Sequence, residues 1–131
     1  MAYIDGENVM ICNVDCGTAI YGDVVDLGNR GGFIAPLAID VKLTEKVSSG
    51  KMDKVIVESS PTSGFTSGNV TECEVTLNGG TAQQQARPMT LAQFHAPISP
   101  KNRYVRMKAT ATAVSGGKIY ASMQQGIAVP Y

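Results

Sequence analysis

Short segments that alternate between apolar and polar residues dominate this chain of 131 residues. In residues 103–111, Val105, Met107 and Ala109 alternate with polar or aromatic neighbours. Successive side chains of a β-strand point to opposite faces, so this period of two predicts a strand with one buried face. The same alternation occurs in residues 37–43, 72–77 and 118–124, and further strand candidates are residues 9–14, 19–27, 54–58 and 90–95.

Glycine, proline and small polar residues separate these segments, which is typical of turns. A helix fits only as a short piece near residues 42–48 or 80–88. The connectors 59–71 and 78–89 are long enough to cross between two sheets. About eight short strands predict an all-β fold, and we expect a jelly-roll-like β-sandwich. Residues 1–18 are expected to form an N-terminal arm or first strand, and residues 19–131 a single β-sandwich domain.

Charge and hydrophobicity narrow the possible functions. The 11 basic residues balance the 11 acidic ones, and charged residues make up 17% of the chain. Nucleic-acid binding needs a surplus of Lys and Arg, so we expect no nucleic-acid partner. No apolar stretch is long enough for a membrane helix, and the acidic first segment does not resemble a signal peptide, so we also expect no membrane partner. A net charge near zero favours association with other proteins.

The residues that usually carry catalysis are scarce. His95 is the single histidine, there is no Trp, and no serine lies in a nucleophile-elbow sequence. A jelly-roll metal site of the cupin type needs several histidines, and a Ser/His/Asp triad would have to use His95. We therefore interpret His95 as a partly exposed residue at the end of a strand and predict no catalytic residues.

A metal site formed by the three cysteines and His95 is possible from the sequence, but it is the weakest of the functional hypotheses. Cys12 and Cys16 are spaced almost like metal ligands, and Cys73 with His95 would complete four ligands. Structural zinc sites usually supply ligands as two close pairs, whereas Cys73 and His95 are far apart in sequence. Cys73 also fits the inward face of its predicted strand.

Several segments, taken in order, resemble one known family. They are Val24-Val25-Asp26-Leu27-Gly28, Pro36-Leu37-x-Ile39-x-Val41, Val55-Ile56-Val57-Glu58, Ser60-Pro61, Phe65, Pro97, Arg103-Tyr104-Val105-Arg106 and a final strand from Ile119 to Met123. This order and spacing over residues 20–125 is similar to the capsid cement, or head-decoration, proteins of tailed bacteriophages, of the kind known from a Bordetella phage. The N-terminal arm with Cys12 and Cys16 has no counterpart in that resemblance.

The resemblance implies a structural virion protein. Its fold would be a jelly-roll-like sandwich, and it would sit on the capsid exterior as a homotrimer after assembly in the bacterial cytoplasm. Its partner would be the major capsid protein, whose neighbouring subunits it would clamp. The resemblance implies no enzymatic activity and no cofactor.

Five residues outside the core pattern are candidates for the capsid or trimer interface. They are apolar groups or bidentate hydrogen-bond donors on the arm or in connectors: Tyr3, Ile4, Arg30, Phe65 and Arg87. For each of them an ordinary surface or loop residue is the alternative interpretation, and the sequence favours that alternative.

A carbohydrate- or ligand-binding β-sandwich, as in a phage fibre or a lectin-like module, is the alternative function. Such modules normally present exposed aromatic side chains in a groove. The chain has no Trp for this purpose, but it has five tyrosines, Tyr3, Tyr21, Tyr104, Tyr120 and Tyr131. A metal-dependent enzyme built on the cysteines and His95 is the third hypothesis.

Overall fold

Antiparallel strands provide nearly all of the regular structure in the computed structural model, which describes residues 8–26, 37–96 and 102–125. The elements are β1 (Asn8–Asp15), β2 (Ala19–Tyr21), β3 (Val25–Asp26), β4 (Leu37–Glu45), β5 (Ser49–Gly50), β6 (Lys54–Ser60), β7 (Val70–Thr76), α1 (Thr81–Ala86), β8 (Met89–Ala96), β9 (Tyr104–Thr110), β10 (Val114–Ser115) and β11 (Lys118–Gln125). No helix in these ranges is long and apolar enough to cross a membrane.

The strand order is that of a jelly roll. The first sheet has the order β1-β11-β4-β8, and the second has β2-β9-β6-β7 with β3 also paired to β9. If β2 and β3 are counted as one interrupted strand and the two-residue strands β5 and β10 are set aside, eight strands remain. Their orders are then 1-8-3-6 and 2-7-4-5, as expected for a long hairpin rolled into two facing sheets. The predicted all-β sandwich is confirmed, and its topology is that of the jelly roll.

The core lies between the two sheets and follows the predicted alternation. On β9, Val105, Met107 and Ala109 are fully buried, and the residues between them are half-exposed. On β4, Leu37 to Leu43 alternate in the same way. Burying one face of each strand is the main apolar contribution to stability.

Three details of the predicted elements were wrong. Residues 19–27 form two strands in the same sheet, interrupted where the Gly22 backbone N–H donates to Met107 and the Asp23 backbone N–H donates to Met10 on the other sheet. The connector 59–71 does not cross between sheets, since β6 and β7 pair with each other as a wide hairpin. Residues 42–45 continue β4, so the helix lies only in the second predicted place, residues 81–86. The connector 78–89 does cross between the sheets.

Glu72 is a further departure from the alternation. A β-bulge in β7 places Val57 opposite Cys73 and Glu58 opposite Thr71, which leaves Glu72 as the extra residue. The alternation predicts that the Glu72 carboxylate points outward into solvent. In the structure it instead makes a hydrogen bond with a buried residue. It accepts a hydrogen bond of 2.6 Å from the buried Ser59 hydroxyl, which in turn accepts one of 2.8 Å from Asn102.

Gln84 on α1 connects the crossing segment to the rest of the fold. Its side chain is fully buried, and its Oε1 accepts a hydrogen bond of 2.9 Å from the Met52 backbone N–H. Its Nε2 donates to the Met52 and Asn78 carbonyl oxygens, each at 3.1 Å. One amide side chain thus provides hydrogen-bond partners for backbone groups of two connectors, which strand pairing does not satisfy.

We expect Gln84→Met, which keeps the volume but not the hydrogen bonds, to lower the free energy of unfolding by about 2–4 kcal/mol because buried backbone groups lose their partners. Urea denaturation measures this loss. The neighbouring Gln83→Met serves as the control, since the Gln83 side chain caps α1 at the exposed Gly80 N–H and its loss should cost about 1 kcal/mol or less. Equal losses for the two variants would contradict the assigned role of Gln84.

Candidate functional site

The outward face of the second sheet carries a cluster of aromatic and charged side chains around Arg106. The Arg106 Cζ lies 4.3 Å from the Phe65 ring centroid and 4.7 Å from that of Tyr21. Its Nε donates a hydrogen bond of 2.9 Å to Glu58 Oε1. We call Tyr21, Glu58, Phe65 and Arg106 the Arg106 cluster. Its guanidinium is fixed by two cation–π contacts and one charge-assisted hydrogen bond.

Strand register brings these residues together. Because Val105, Met107 and Ala109 point into the core, Arg106 and Lys108 point outward from β9. Glu58 on β6 lies directly opposite Arg106. Tyr21 on β2 lies opposite Lys108, whose Nζ is 5.3 Å from the tyrosine ring centroid. Residues far apart in sequence therefore form two neighbouring cross-strand pairs, Glu58 with Arg106 and Tyr21 with Lys108, on one face of three strands.

The hairpin connection between β6 and β7 supplies Phe65. Hydrogen bonds within the loop hold its shape: Ser60 Oγ accepts from the Thr62 N–H and donates to the Ser67 carbonyl. Asn69 Nδ2 donates to the Phe65 carbonyl at 2.9 Å. Phe65 has a φ of 53°, a left-handed conformation that costs a bulky L-residue about 1–2 kcal/mol. In this conformation Phe65 is 7% exposed, and its ring packs against the Arg106 guanidinium.

A second ion pair extends the same face. The guanidinium of Arg103 donates through Nε and Nη2 to the two carboxylate oxygens of Asp26, at 2.6 and 2.9 Å. The bidentate contact raises the pKa of Arg103 above its ordinary value. The Arg103 Cζ also lies 5.5 Å from the Tyr104 ring centroid. The surface thus presents aromatic rings and two arginines. The charge of each arginine is already neutralised by a carboxylate.

Exposed apolar residues border this face. Tyr21 is 53% exposed, and Val24, which precedes β3, is 42% exposed. Both lie at the edge of the second sheet formed by β2 and β3. This edge combines accessible apolar area with fixed polar groups, a composition typical of the centres of protein interfaces.

The five predicted interface residues do not form one site in the part of the chain that the structure describes. Tyr3, Ile4 and Arg30 lie outside the described residues. Phe65 is buried in the Arg106 cluster rather than free on its loop, and Arg87 is exposed directly after α1. The alternation in residues 103–111 indicated an outward position for Arg106, but it did not indicate that Phe65, Glu58 and Tyr21 contact it. The outward position of Arg106 in the alternation was the one signal available.

The proposed metal ligands do not come together either. Within residues 8–26, 37–96 and 102–125, which include all four, no group of three His, Cys, Asp or Glu side chains could hold a metal ion. Cys12 and Cys16 belong to β1 and the turn after it, and Cys73 lies on β7 in the other sheet. His95 is exposed near the end of β8, as predicted. The metal-enzyme hypothesis has no geometric basis in these residues.

The cysteines differ in environment. Burial, and secondarily the Asp15 carboxylate, raises the pKa of the Cys16 thiol to about 11. Burial also raises the pKa of Cys73, with a smaller contribution from Glu72. Cys12 is exposed.

We expect Phe65→Ala to lower the free energy of unfolding by about 2–4 kcal/mol, because it removes a buried ring from the Arg106 guanidinium. Phe65→Gly should be no less stable than Phe65→Ala, since glycine adopts the positive φ without strain. Chemical denaturation of both variants makes the comparison. At a position with a negative φ, an alanine variant is more stable than a glycine variant. If Phe65→Ala is more stable than Phe65→Gly, the inferred backbone strain at this position is wrong.

We expect iodoacetamide at pH 8 to alkylate Cys12 before Cys16 and Cys73, because the thiolate is the reactive form and the two half-buried thiols ionise only at higher pH. Peptide mass spectrometry over time gives the three rates. The Cys16 rate should rise steeply as the pH approaches 11. In Cys12→Ser the fast reaction should disappear, and a fast reaction that persists in this variant would assign it to another cysteine.

No protein-family model matches the sequence, and no curated protein matches it. Among solved structures, the fold is similar to the K1 cleaved adhesin domain of Lys-gingipain from Porphyromonas gingivalis W83, with a TM-score of 0.50 and 14% identity over 85% of this chain and 63% of that chain. It is also similar to dimeric latent PorU from the same species, with a TM-score of 0.50 and 9% identity over 96% of this chain and 13% of that chain. At these identities the likeness is one of fold, and this chain spans less than two thirds of either protein.

Proposed function

We propose that this chain is a structural, non-catalytic capsid cement protein, which binds the outside of a tailed-phage head as a homotrimer and stabilises contacts between major capsid subunits. The observation that supports this most is the convergence of separate family-like segments on one outward face. Asp26 meets Arg103, and Glu58 meets Arg106, although 77 and 48 residues separate the partners. Phe65, from a third segment, completes the Arg106 cluster.

The physical character of this face suits protein binding. Tyr and Arg side chains contribute a large share of binding energy at interfaces, above all when they are held rigid before binding. Arg106 and Arg103 are already fixed by their carboxylates, so a partner has little side-chain entropy to remove. Tyr21 leaves more than half of its surface available for contact.

Oligomeric binding would multiply such contacts. A trimer that touches several capsid subunits at once converts weak individual contacts into strong overall attachment. The balanced net charge of the chain lowers the electrostatic cost of bringing copies together.

A carbohydrate- or ligand-binding module is the second candidate. The observation that favours it is the fold shared with the K1 adhesin domain of Lys-gingipain. On this hypothesis the exposed Tyr21 would serve as an apolar platform for a sugar ring.

Co-sedimentation with empty, expanded shells of the major capsid protein from the same phage separates the two functions. A cement protein should pellet with the shells and saturate at a fixed ratio, and sedimentation velocity of the free protein should give a trimer mass. If the protein remains in the supernatant at every concentration, the cement proposal is wrong, and saturable binding to a glycan panel would then support the second candidate.

We expect Tyr21→Ala to weaken shell binding by about tenfold or more, because it removes the most exposed aromatic ring beside the Arg106 cluster. The free energy of unfolding should change little, since the ring is mostly exposed. Titration of shells with labelled protein measures the affinity. Tyr120→Ala on the first sheet is the matched control and should bind as the unmodified protein does; equal binding by Tyr21→Ala would place the contact elsewhere.

A further inference from the structure

Lys108 lies within the outward face of the second sheet, between an aromatic and an aliphatic side chain. It extends from β9, and its direct neighbours across the strands are Tyr21 on β2 and Ile56 on β6. Ile56 is half-buried and points outward, because Val55 and Val57 on either side of it are fully buried in the core. The lysine is therefore a charged group in largely apolar surroundings.

The other three cations described on this face each pair with a carboxylate. The pairs are Arg103 with Asp26, Arg106 with Glu58, and Lys54 with Glu74. Within residues 8–26, 37–96 and 102–125, no such pair includes Lys108. Its ammonium nitrogen instead lies 5.3 Å from the Tyr21 ring centroid. The face thus carries one positive charge that no carboxylate of the described residues balances.

Tyr21 couples this charge to the accessible apolar area. The residue is 53% exposed, and its ring lies against both the Arg106 guanidinium and the Lys108 ammonium group. A partner that covers the ring therefore also removes water from the ammonium group. Burying an ammonium without a counter-charge carries a large desolvation penalty, which a carboxylate placed against it offsets. The partner that fits this face brings an anionic acceptor to Lys108.

The rest of the face limits how acidic that partner can be. Three of the four cations are already neutralised, so one carboxylate is enough to balance the face. The three paired carboxylates would repel a polyanion such as nucleic acid or a strongly acidic segment. Tyr21, Val24 and Ile56 require apolar groups opposite them. A mainly apolar surface with a single carboxylate matches both the charge and the shape of this composition.

We propose that the segment of the major capsid protein bound by this face is mainly apolar and carries one Asp or Glu, whose carboxylate pairs with Lys108. This inference rests on the proposed cement function and specifies the contact through which it acts. Apolar groups of the segment pack on Tyr21, Val24 and Ile56, and the carboxylate meets the ammonium group. Opposite charges across an interface fix its register and partner choice, so this pair orients the protein on the shell.

Lys108→Met tests the pair, because methionine keeps an unbranched side chain beside Tyr21 and removes the charge. We expect about tenfold weaker binding to expanded shells at low ionic strength, and a smaller further loss on adding salt than the unmodified protein shows. Lys46→Met is the matched control and should bind normally. It removes the same charge from an exposed lysine in the connector after β4, which also has no carboxylate partner among the described residues. Urea denaturation checks that both variants are folded.

Carbodiimide cross-linking of the unmodified protein to shells is an independent readout. The reagent activates a carboxylate, which forms an amide bond with a lysine amine in contact and releases the reagent as a urea. We expect mass spectrometry to find a peptide that joins Lys108 to an Asp or Glu of the major capsid protein.

The outcomes separate this inference from the cement proposal. Equal shell binding by Lys108→Met and Lys46→Met, or bound complexes without the Lys108 cross-link, would overturn the inference and leave the cement proposal standing. If the unmodified protein does not bind shells at any concentration, both are wrong.

Discussion

Burial of one face of β9 determines the outward direction of Arg106, the residue that the other members of the Arg106 cluster contact. Val105, Met107 and Ala109 fill the space between the sheets, so Arg106 and Lys108 must point outward. β9 also lies between β6 and the β2–β3 edge, and its register therefore sets which residues face it from either side. A slip of one residue would send the arginine into the core, at a cost far above that of any surface contact.

The outward face is rigid because several weak contacts share the same atoms. Arg106 contacts two rings and one carboxylate, and the loop that carries Phe65 is held by its own hydroxyl and amide side chains. The strain of a left-handed phenylalanine is offset by burial of its ring. Such strain persists only where the surroundings hold it, and it is often found at functional surfaces.

Buried polar groups mark the places where the sandwich departs from simple alternation. Gln84 satisfies backbone groups that the sheets leave unpaired, and Ser59 links Asn102 to Glu72 across three neighbouring segments. Asp40 differs from these, because one of its carboxylate oxygens has no partner. Among the described residues, the fold thus leaves one buried side-chain oxygen without a hydrogen-bond partner.

The local pattern of the sequence by itself determined the strands, their buried faces and the all-β class, because a period of two depends only on neighbouring residues. It also placed Arg106 and His95 correctly on outward positions. Strand order, the interruption between β2 and β3, and the wide hairpin that carries Phe65 were decided by tertiary structure. So were the pairing of Arg106 with Glu58 and the burial of an Asp40 oxygen without a partner. These depend on which strands pair and in what register, and such non-local contacts leave no periodic signal in the chain.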